Sequence, residues 1–187
     1  AYLDEIAAGS HQRGARASKD GLFESEIVVV DTEAGPISSD QGIRPDTTGE
    51  TLAGLKPAFT EEGVVTAGNA SQISDGAAAL LITSRERAEE LGLTPVARFH
   101  SFAMAGVDPV IILTGPIPAT ARVLDKAGLD LADIGSFEVN EAFASVLGAW
   151  YADTGADPAL TNPQGGAIAL GHPLGASGAR LMTTLVH

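Results

Sequence analysis

The 187-residue sequence predicts an α/β fold, with helices covering a sheet. Three observations carry that expectation. From about Ser71 onward, apolar runs of strand length alternate with segments of helical period. Gly92 and Gly128 stand where two of those helices would close, and Ser84 stands where one would open. Apolar residues make up 44% of the chain, enough for a sizeable core, and the length allows one or two domains.

Each element follows from local pattern. Residues 1–20 read as an amphipathic helix with Leu3, Ile6 and Ala7 on one face and Gly21 as its stop. Glu26 to Val30 reads as a short strand. Residues 31–63 are mostly loop, rich in Gly, Pro, Thr and acid, with one short helix at Glu50–Leu55. Ala77 to Ile82 is a buried apolar run of strand length, followed by a helix from the Ser84 cap through Glu90. Val96 to Ala105 predicts a long strand, and Pro116 to Ala127 a helix. Then come a strand at Ser136–Asn140, a helix at Ala142–Asp153, a strand-like stretch at Ala167–Leu170 and a helix from Pro173. Gly175 and Gly178, three apart, would allow close helix packing.

Charge and composition exclude several classes of function. A net charge of −13 argues against nucleic acid, which needs clustered Lys and Arg, and against an anionic membrane surface. No run approaches the length of a spanning helix, and no signal peptide is visible at this start, so no membrane insertion is expected. With no cysteine there is neither a disulfide nor a thiolate metal site. His11, His100, His172 and His187 lack metal-ligand spacing, so no metal is expected. The composition is consistent with a cytoplasmic metabolic enzyme.

The run from Gly165 to Arg180, Gly-Gly-Ala-Ile-Ala-Leu-Gly-His-Pro-Leu-Gly-Ala-Ser-Gly-Ala-Arg, places His172 in a glycine-rich turn before a proline that can open a helix. An imidazole held there can donate a hydrogen bond or take a proton; such turns also simply close strand-to-helix connections. Asn140-Glu141-Ala142-Phe143 lies where a strand hands over to a helix, the end of an α/β sheet at which ligands collect. Asn and Glu there equally suit a polar helix cap. Glu138 and Glu141, on a strand and at a helix start, need not converge as an acid/base pair, and Glu141 reads as a supporting residue.

Taken together, these motifs resemble the thiolases, the acyl-CoA acyltransferases. Thr66-Ala67-Gly68-Asn69-Ala70-Ser71 with Asp75-Gly76-Ala77-Ala78-Ala79, Gly115-Pro116-Ile117-Pro118-Ala119 and Ser10-His11-Gln12-Arg13 agree, in the family's order and across nearly the whole chain. The resemblance implies a layered αβαβα fold built from two similar halves. On it, residues 1–74 are the later part of the loop domain that covers coenzyme A, 75–95 end the N-terminal domain, and 96–187 are a truncated C-terminal domain. Members of the family use two cysteines, a nucleophile and an acid/base. Neither is in this sequence, so it resembles an internal portion of a thiolase, inert by itself.

The implied activity is CoA-dependent cleavage of 3-ketoacyl-CoA, or the reverse Claisen condensation, in fatty acid metabolism or lipid degradation. His172 would donate to the thioester oxygen of an acetyl-CoA enolate and favour the thiolate of the missing cysteine; Asn140 would hold a water that is the other donor. Coenzyme A and acyl-CoA enter as substrates, with no permanently bound cofactor. Ser71 matches a serine that meets the pantetheine arm, although a hydroxyl there also suits a turn cap. Arg44 falls near the nucleotide end of coenzyme A, although a lone surface Arg is equally a solvated one. Thr51 and Phe59 are weaker candidates in the same loop region, and Phe143 either lines the pocket or is a core aromatic. Ile112 and Leu113 depart from the family's Met-Gly before Thr-Gly-Pro, which leaves acyl chain length unassigned. Family analogy implies a homodimer or homotetramer.

A second reading is a non-catalytic acyl-CoA-binding or assembly subunit that keeps the fold without the cysteines. A glycine-loop nucleotide-binding enzyme fits worse: Gly171-His172-Pro173-Leu174-Gly175 lacks the lysine of a phosphate loop and the glycine spacing of a dinucleotide fold.

Overall fold

Helix α1 (Tyr2–Lys19) forms with Asp4 and Glu5 in its first turn and Arg16 and Lys19 in its last, each charge complementing the nearer end of the helix dipole. In the computed structural model, which describes residues 1–187, α1 buries Asp4, Ala7, Ser10, His11, Gly14 and Ala17. That three-to-four-residue repeat is one helical face. Leu3 and Ile6 pack against a core of Ala7, Leu52, Ala144 and Ile168, so the amphipathic reading of this segment holds.

The hairpin of β1 (Val30–Thr32) and β2 (Gly35–Ile37) pairs antiparallel, Val30 opposite Ile37. The strand expected at Glu26–Val30 is therefore displaced toward the turn that closes it. Helix α2 (Gly49–Ala53) is capped by Thr48, whose hydroxyl accepts from the Thr51 amide at 3.2 Å. Helix α3 (Arg85–Glu90) opens at Ser84 as expected, and α4 (Pro116–Ala127) opens with proline in its first turn. Positive φ at Gly21, Gly92 and Gly128 marks the ends of α1, α3 and α4. Helix α5 (Ala144–Thr154) begins two residues later than expected and carries Trp150, whose indole donates to Thr120 Oγ1 of α4 at 3.0 Å. Trp150 also meets Phe137 edge to face, with centroids 5.3 Å apart.

Several expected strands are not strands within these 187 residues. Residues 77–82 and 96–105 have no β partner, and many of their large apolar side chains are exposed: Leu81 is 79% exposed and Met104 90%. A strand exists through its neighbours' main-chain groups, and none lies alongside. The carbonyls of Phe102 and Met104 instead accept from Lys126 (3.1 Å) and Arg122 (2.8 Å) of α4. Ser136–Asn140 keeps a single parallel bridge, Phe137 to Thr161.

Ala167–Leu170 is a helix, α6, not the strand expected. Its amino end is satisfied by side chains: Glu141 accepts from the Ile168 amide at 3.2 Å, and Ser10 Oγ accepts from the Gly166 amide at 3.1 Å. The last helix, α7 (Ser177–Val186), starts four residues after Pro173; residues 173–176 form a turn closed by Ser177 N–H to Pro173 C=O at 2.9 Å. Nothing lies within 4 Å of a Cβ built on Gly175 or Gly178, so these glycines do not serve close helix packing. Helix α1 packs against α2, α5 and α6, and α4 lies on α5; this assembly carries the Asn140 and His172 motifs to one place.

Candidate active site

Gly171, with φ +93°, turns the chain out of α6 and aims His172 at the Asn140 segment. A Cβ at Gly171 would overlap the Ser74 side chain, so the turn requires glycine. The His172 amide donates to Gln72 C=O at 2.9 Å, and Gln72 Nε2 donates to Ile168 C=O at 2.8 Å and Gly42 C=O at 3.0 Å. The backbone of the histidine is thereby fixed from both sides.

The ring is oriented through Nδ1, which lies 2.5 Å from Ser177 Oγ. The serine's one hydroxyl proton goes to Pro173 C=O at 3.0 Å. Its oxygen therefore accepts from Nδ1–H, and this pattern assigns the tautomer with Nε2 bare. Nε2 faces Asn140 Nδ2 at 3.3 Å, and the amide donates to it. Asn140 Oδ1 is buried and has no protein partner.

The Asn140 segment is held by residues around it. Asn162 clamps Val139 twice, accepting from its amide and donating to its carbonyl, both at 2.8 Å. Glu141 is fully buried and accepts from Ser10 Oγ (2.6 Å), Asn162 Nδ2 (2.9 Å) and the Ile168 amide, with the Arg13 guanidinium 4.0 Å away. A Cβ on Gly166 would overlap the Glu141 carboxylate. The supporting role read for Glu141 is therefore that of a hub joining α1, the Asn162 turn and α6.

Of the expected binding residues, the structure brings three to this site. Ser71 donates its amide to Ala142 C=O at 3.0 Å, immediately beside the Asn140 motif. Phe143 lies next to it, bridged to Ala70, and meets Phe59 edge to face at 6.1 Å. Arg44 is placed apart; its side chain is exposed and its amide donates to His11 Nδ1 at 3.2 Å. Burial, reinforced by the Arg44 charge, lowers the His11 pKa and keeps that acceptor lone pair free. Thr51 is committed to capping α2, its Oγ1 donating to Thr48 C=O at 2.8 Å. An open groove of about 450 Å³, bounded by residues 74–78 and 173–176, adjoins the turn after His172.

Ser177, Gln72 and Asn162 are site residues the sequence reading did not single out. Ser177 was legible in principle, since it stands five residues after His172, at the end of the turn that Pro173 opens. Gln72 and Asn162 act across 100 and 23 residues of chain, a distance no local pattern reports. No cluster of three or more His, Asp or Glu side chains could hold a metal ion, and no helix is long and apolar enough to cross a membrane.

Comparison with known proteins covers nearly the whole chain. Residues 1–86 match the model of the thiolase N-terminal domain and residues 93–187 that of the thiolase C-terminal domain. The chain is 50% identical over 184 residues to a steroid 3-ketoacyl-CoA thiolase of Mycobacterium tuberculosis, covering 98% of this chain and 45% of that protein. It is 50% identical over 187 residues to an acetyl-CoA acetyltransferase of Rhizobium meliloti, covering 98% and 48%. Among solved structures, the dimeric peroxisomal thiolase of Saccharomyces cerevisiae superposes with a TM-score of 0.95 at 45% identity, covering 99% of this chain and 47% of that one. Human mitochondrial 3-ketoacyl-CoA thiolase in complex with CoA gives 0.92 at 41% identity, covering 99% and 47%. The chain thus spans about half the length of the curated relatives it matches, and its layered α/β fold class is theirs. A histidine and an asparagine from separate motifs meeting at one point, in a chain that matches both thiolase domain models in order, lead to one conclusion: this chain belongs to the thiolase family.

Proposed function

We propose that the full-length protein containing this chain is a CoA-dependent acyltransferase that cleaves 3-ketoacyl-CoA by thiolysis and runs the reverse Claisen condensation. The observation that carries this reading is the approach of Asn140 Nδ2 to His172 Nε2 at 3.3 Å, with Nδ1 tied to Ser177. A bare Nε2 accepts the proton of a thiol; once protonated, the same atom becomes a donor aimed at an oxygen that gains negative charge. Asn140 Oδ1, buried without a protein partner, is an acceptor for a bound water that turns its own proton to that oxygen.

The steps balance as follows. A cysteine thiol supplied from outside these residues gives its proton to His172 and its sulfur bonds to the keto carbon. The bond between that carbon and the neighbouring methylene carbon breaks, and its electron pair becomes the enolate of acetyl-CoA. The enolate carbon takes a proton from an acid, a second cysteine on the family resemblance. The second cysteine, now a thiolate, takes the proton of the CoA thiol, whose sulfur bonds to the acyl carbon; the cysteine–acyl bond breaks, the released cysteine sulfur takes back its proton from His172, and acyl-CoA leaves. Each donor at the developing oxyanion is worth about 3–4 kcal/mol in sites of this kind.

Binding of the CoA arm belongs to Ser71, with Phe143 and Phe59 lining the approach; Arg44 meets the nucleotide end, and Thr51 supports the same loop region by capping α2. The related human enzyme's CoA complex supports CoA as ligand, and the yeast peroxisomal enzyme's dimer supports a homo-oligomer. The domain limits proposed are 1–74, 75–95 and 96–187. These 187 residues alone carry no cysteine and are inactive on this reading.

Incubating the full-length protein with acetoacetyl-CoA, longer 3-ketoacyl-CoAs and free CoA tests the reading. CoA-dependent appearance of acetyl-CoA is the expected result. Tight acyl-CoA binding without turnover on any member of the panel would leave only a binding subunit.

A further inference from the structure

Glu138 and Arg180 form a buried ion pair that none of the steps above uses. Arg180 NH1 lies 3.6 Å from Glu138 Oε2; the two side chains are 18% and 3% exposed. All three guanidinium nitrogens of Arg180 and Oε2 of Glu138 are buried without a hydrogen bond. A buried charge pair lacking hydrogen bonds contributes little to stability and is often replaceable by apolar side chains. Its placement, however, is specific. On the extended segment, Glu138 and Asn140 are two residues apart and share one face. On α7, Ser177 and Arg180 are three apart and share one face. Asn140 reaches His172, and His172 is held by Ser177. The ion pair is thus a second link beside the first, two residues along the extended segment and three along α7.

We propose that the Glu138–Arg180 pair sets the approach of Asn140 to His172, making both of them positioning residues for the thiolytic reaction. The inference rests on the activity proposed above. The amide–imidazole contact is single and long, so a small rotation of either segment would break it, and the ion pair opposes that rotation through charge rather than through a directed hydrogen bond.

The electrostatic surroundings support a device poised between two states. Burial pushes the Glu138 carboxyl up to about 7, against the pull of Arg180 and with Glu141 and Glu26 adding to the rise; Arg13 of α1 opposes it weakly. Glu26 and Asp40 also face Arg180, and burial raises both. Thr184, on the same stripe of α7, donates to Glu26 Oε2 at 3.1 Å. Arg180 is thus the cation shared among three carboxylates, and Glu138 is the one on the Asn140 segment.

The test uses the full-length protein with Glu138→Gln, Arg180→Met, their combination, and Arg180→Lys. Each of the first two is expected to lower kcat about tenfold with KM for both substrates changed less than about twofold, and the double variant to lose no more than either single. Arg180→Lys, which keeps the charge, is expected to recover most of the loss. The unaltered protein should lose kcat on the acid side near pH 7, and Glu138→Gln should lack that component. Unchanged kcat in folded variants, or losses that multiply in the double variant, would overturn the proposal. Where Arg180→Met does not fold, Glu138→Gln decides: wild-type kcat together with a wild-type acid limb overturns the proposal. If the unaltered protein performs no thiolysis, the reaction assignment fails instead. The nitrogen-15 signals of the His172 ring then still decide the positioning: Glu138→Gln should shift them, and superimposable signals refute it.

Discussion

At His172 the decisive atom is Nδ1, because what it touches decides what Nε2 can do. Ser177 accepts from Nδ1 and passes its own proton to Pro173, which leaves Nε2 free toward Asn140. Ser177→Ala removes the acceptor while leaving the helix start intact. We expect kcat to fall about tenfold with little change in KM, since the ring loses its fixed tautomer rather than its contact with substrate. Steady-state kinetics on full-length protein checks this, and an unchanged kcat would remove Ser177 from the account. Gly166 is the other single position with a sharp consequence. A side chain there meets the Glu141 carboxylate, which already serves Ser10, Asn162 and the Ile168 amide. Gly166→Ala is expected to destabilise by roughly 1–3 kcal/mol, read by denaturant unfolding. Stability equal to the parent would mean that the hub is looser than its distances indicate.

Among the elements, helices and apolar runs fare differently because they depend on different things. Helix α1 closes its hydrogen bonds within itself and advertises its buried face through Leu3, Ile6 and Ala7, so its existence, face and end were legible. The caps at Ser84 and Thr48 and the closing glycines act locally in the same way. Residues 77–82 and 96–105 carry the alternation and apolarity of strands, but strand structure belongs to a pair, and the pairing edge is absent from the 187 residues. Ala167–Leu170 departs from the expected strand for a related reason: its helix is set by Glu141 and Ser10, 27 and 156 residues away, and four apolar residues do not distinguish helix from strand. Native-state hydrogen exchange on this chain should show the contrast. Amides within α1 and α5 are expected to be protected, and those of 77–82 and 96–105 to exchange near the unprotected rate. Protection in the apolar runs equal to that of α1 would mean they find partners, in a second copy or elsewhere in the chain.

For the whole molecule, buried ionisable groups make stability depend on pH in two opposing ways. Glu138 has a folded pKa near 7 against an unfolded value near 4.5, so the native state holds its proton longer. Its contribution is complete below about pH 4.5 and is lost as pH rises toward 7, by roughly 3 kcal/mol. Glu26 and Asp40 act in the same direction. His11 acts in the opposite one: its folded pKa is lowered, so its contribution is present above its ordinary value of 6.5 and declines as pH falls below it. Glu138→Gln is therefore expected to raise stability at pH 8 relative to pH 5 when compared with the parent, measured as Tm at the two pH values. Equal Tm differences in parent and variant would show that the carboxyl does not change charge in this window. The acidic balance and the family match describe the molecule's class, while the proposed chemistry is assigned to the point where Asn140 meets His172. The most direct test of that claim is kcat for CoA-dependent cleavage of a 3-ketoacyl-CoA by full-length His172→Ala protein. A fall of at least about 100-fold, with KM nearly unchanged, is expected; a kcat within about twofold of the parent would contradict the account.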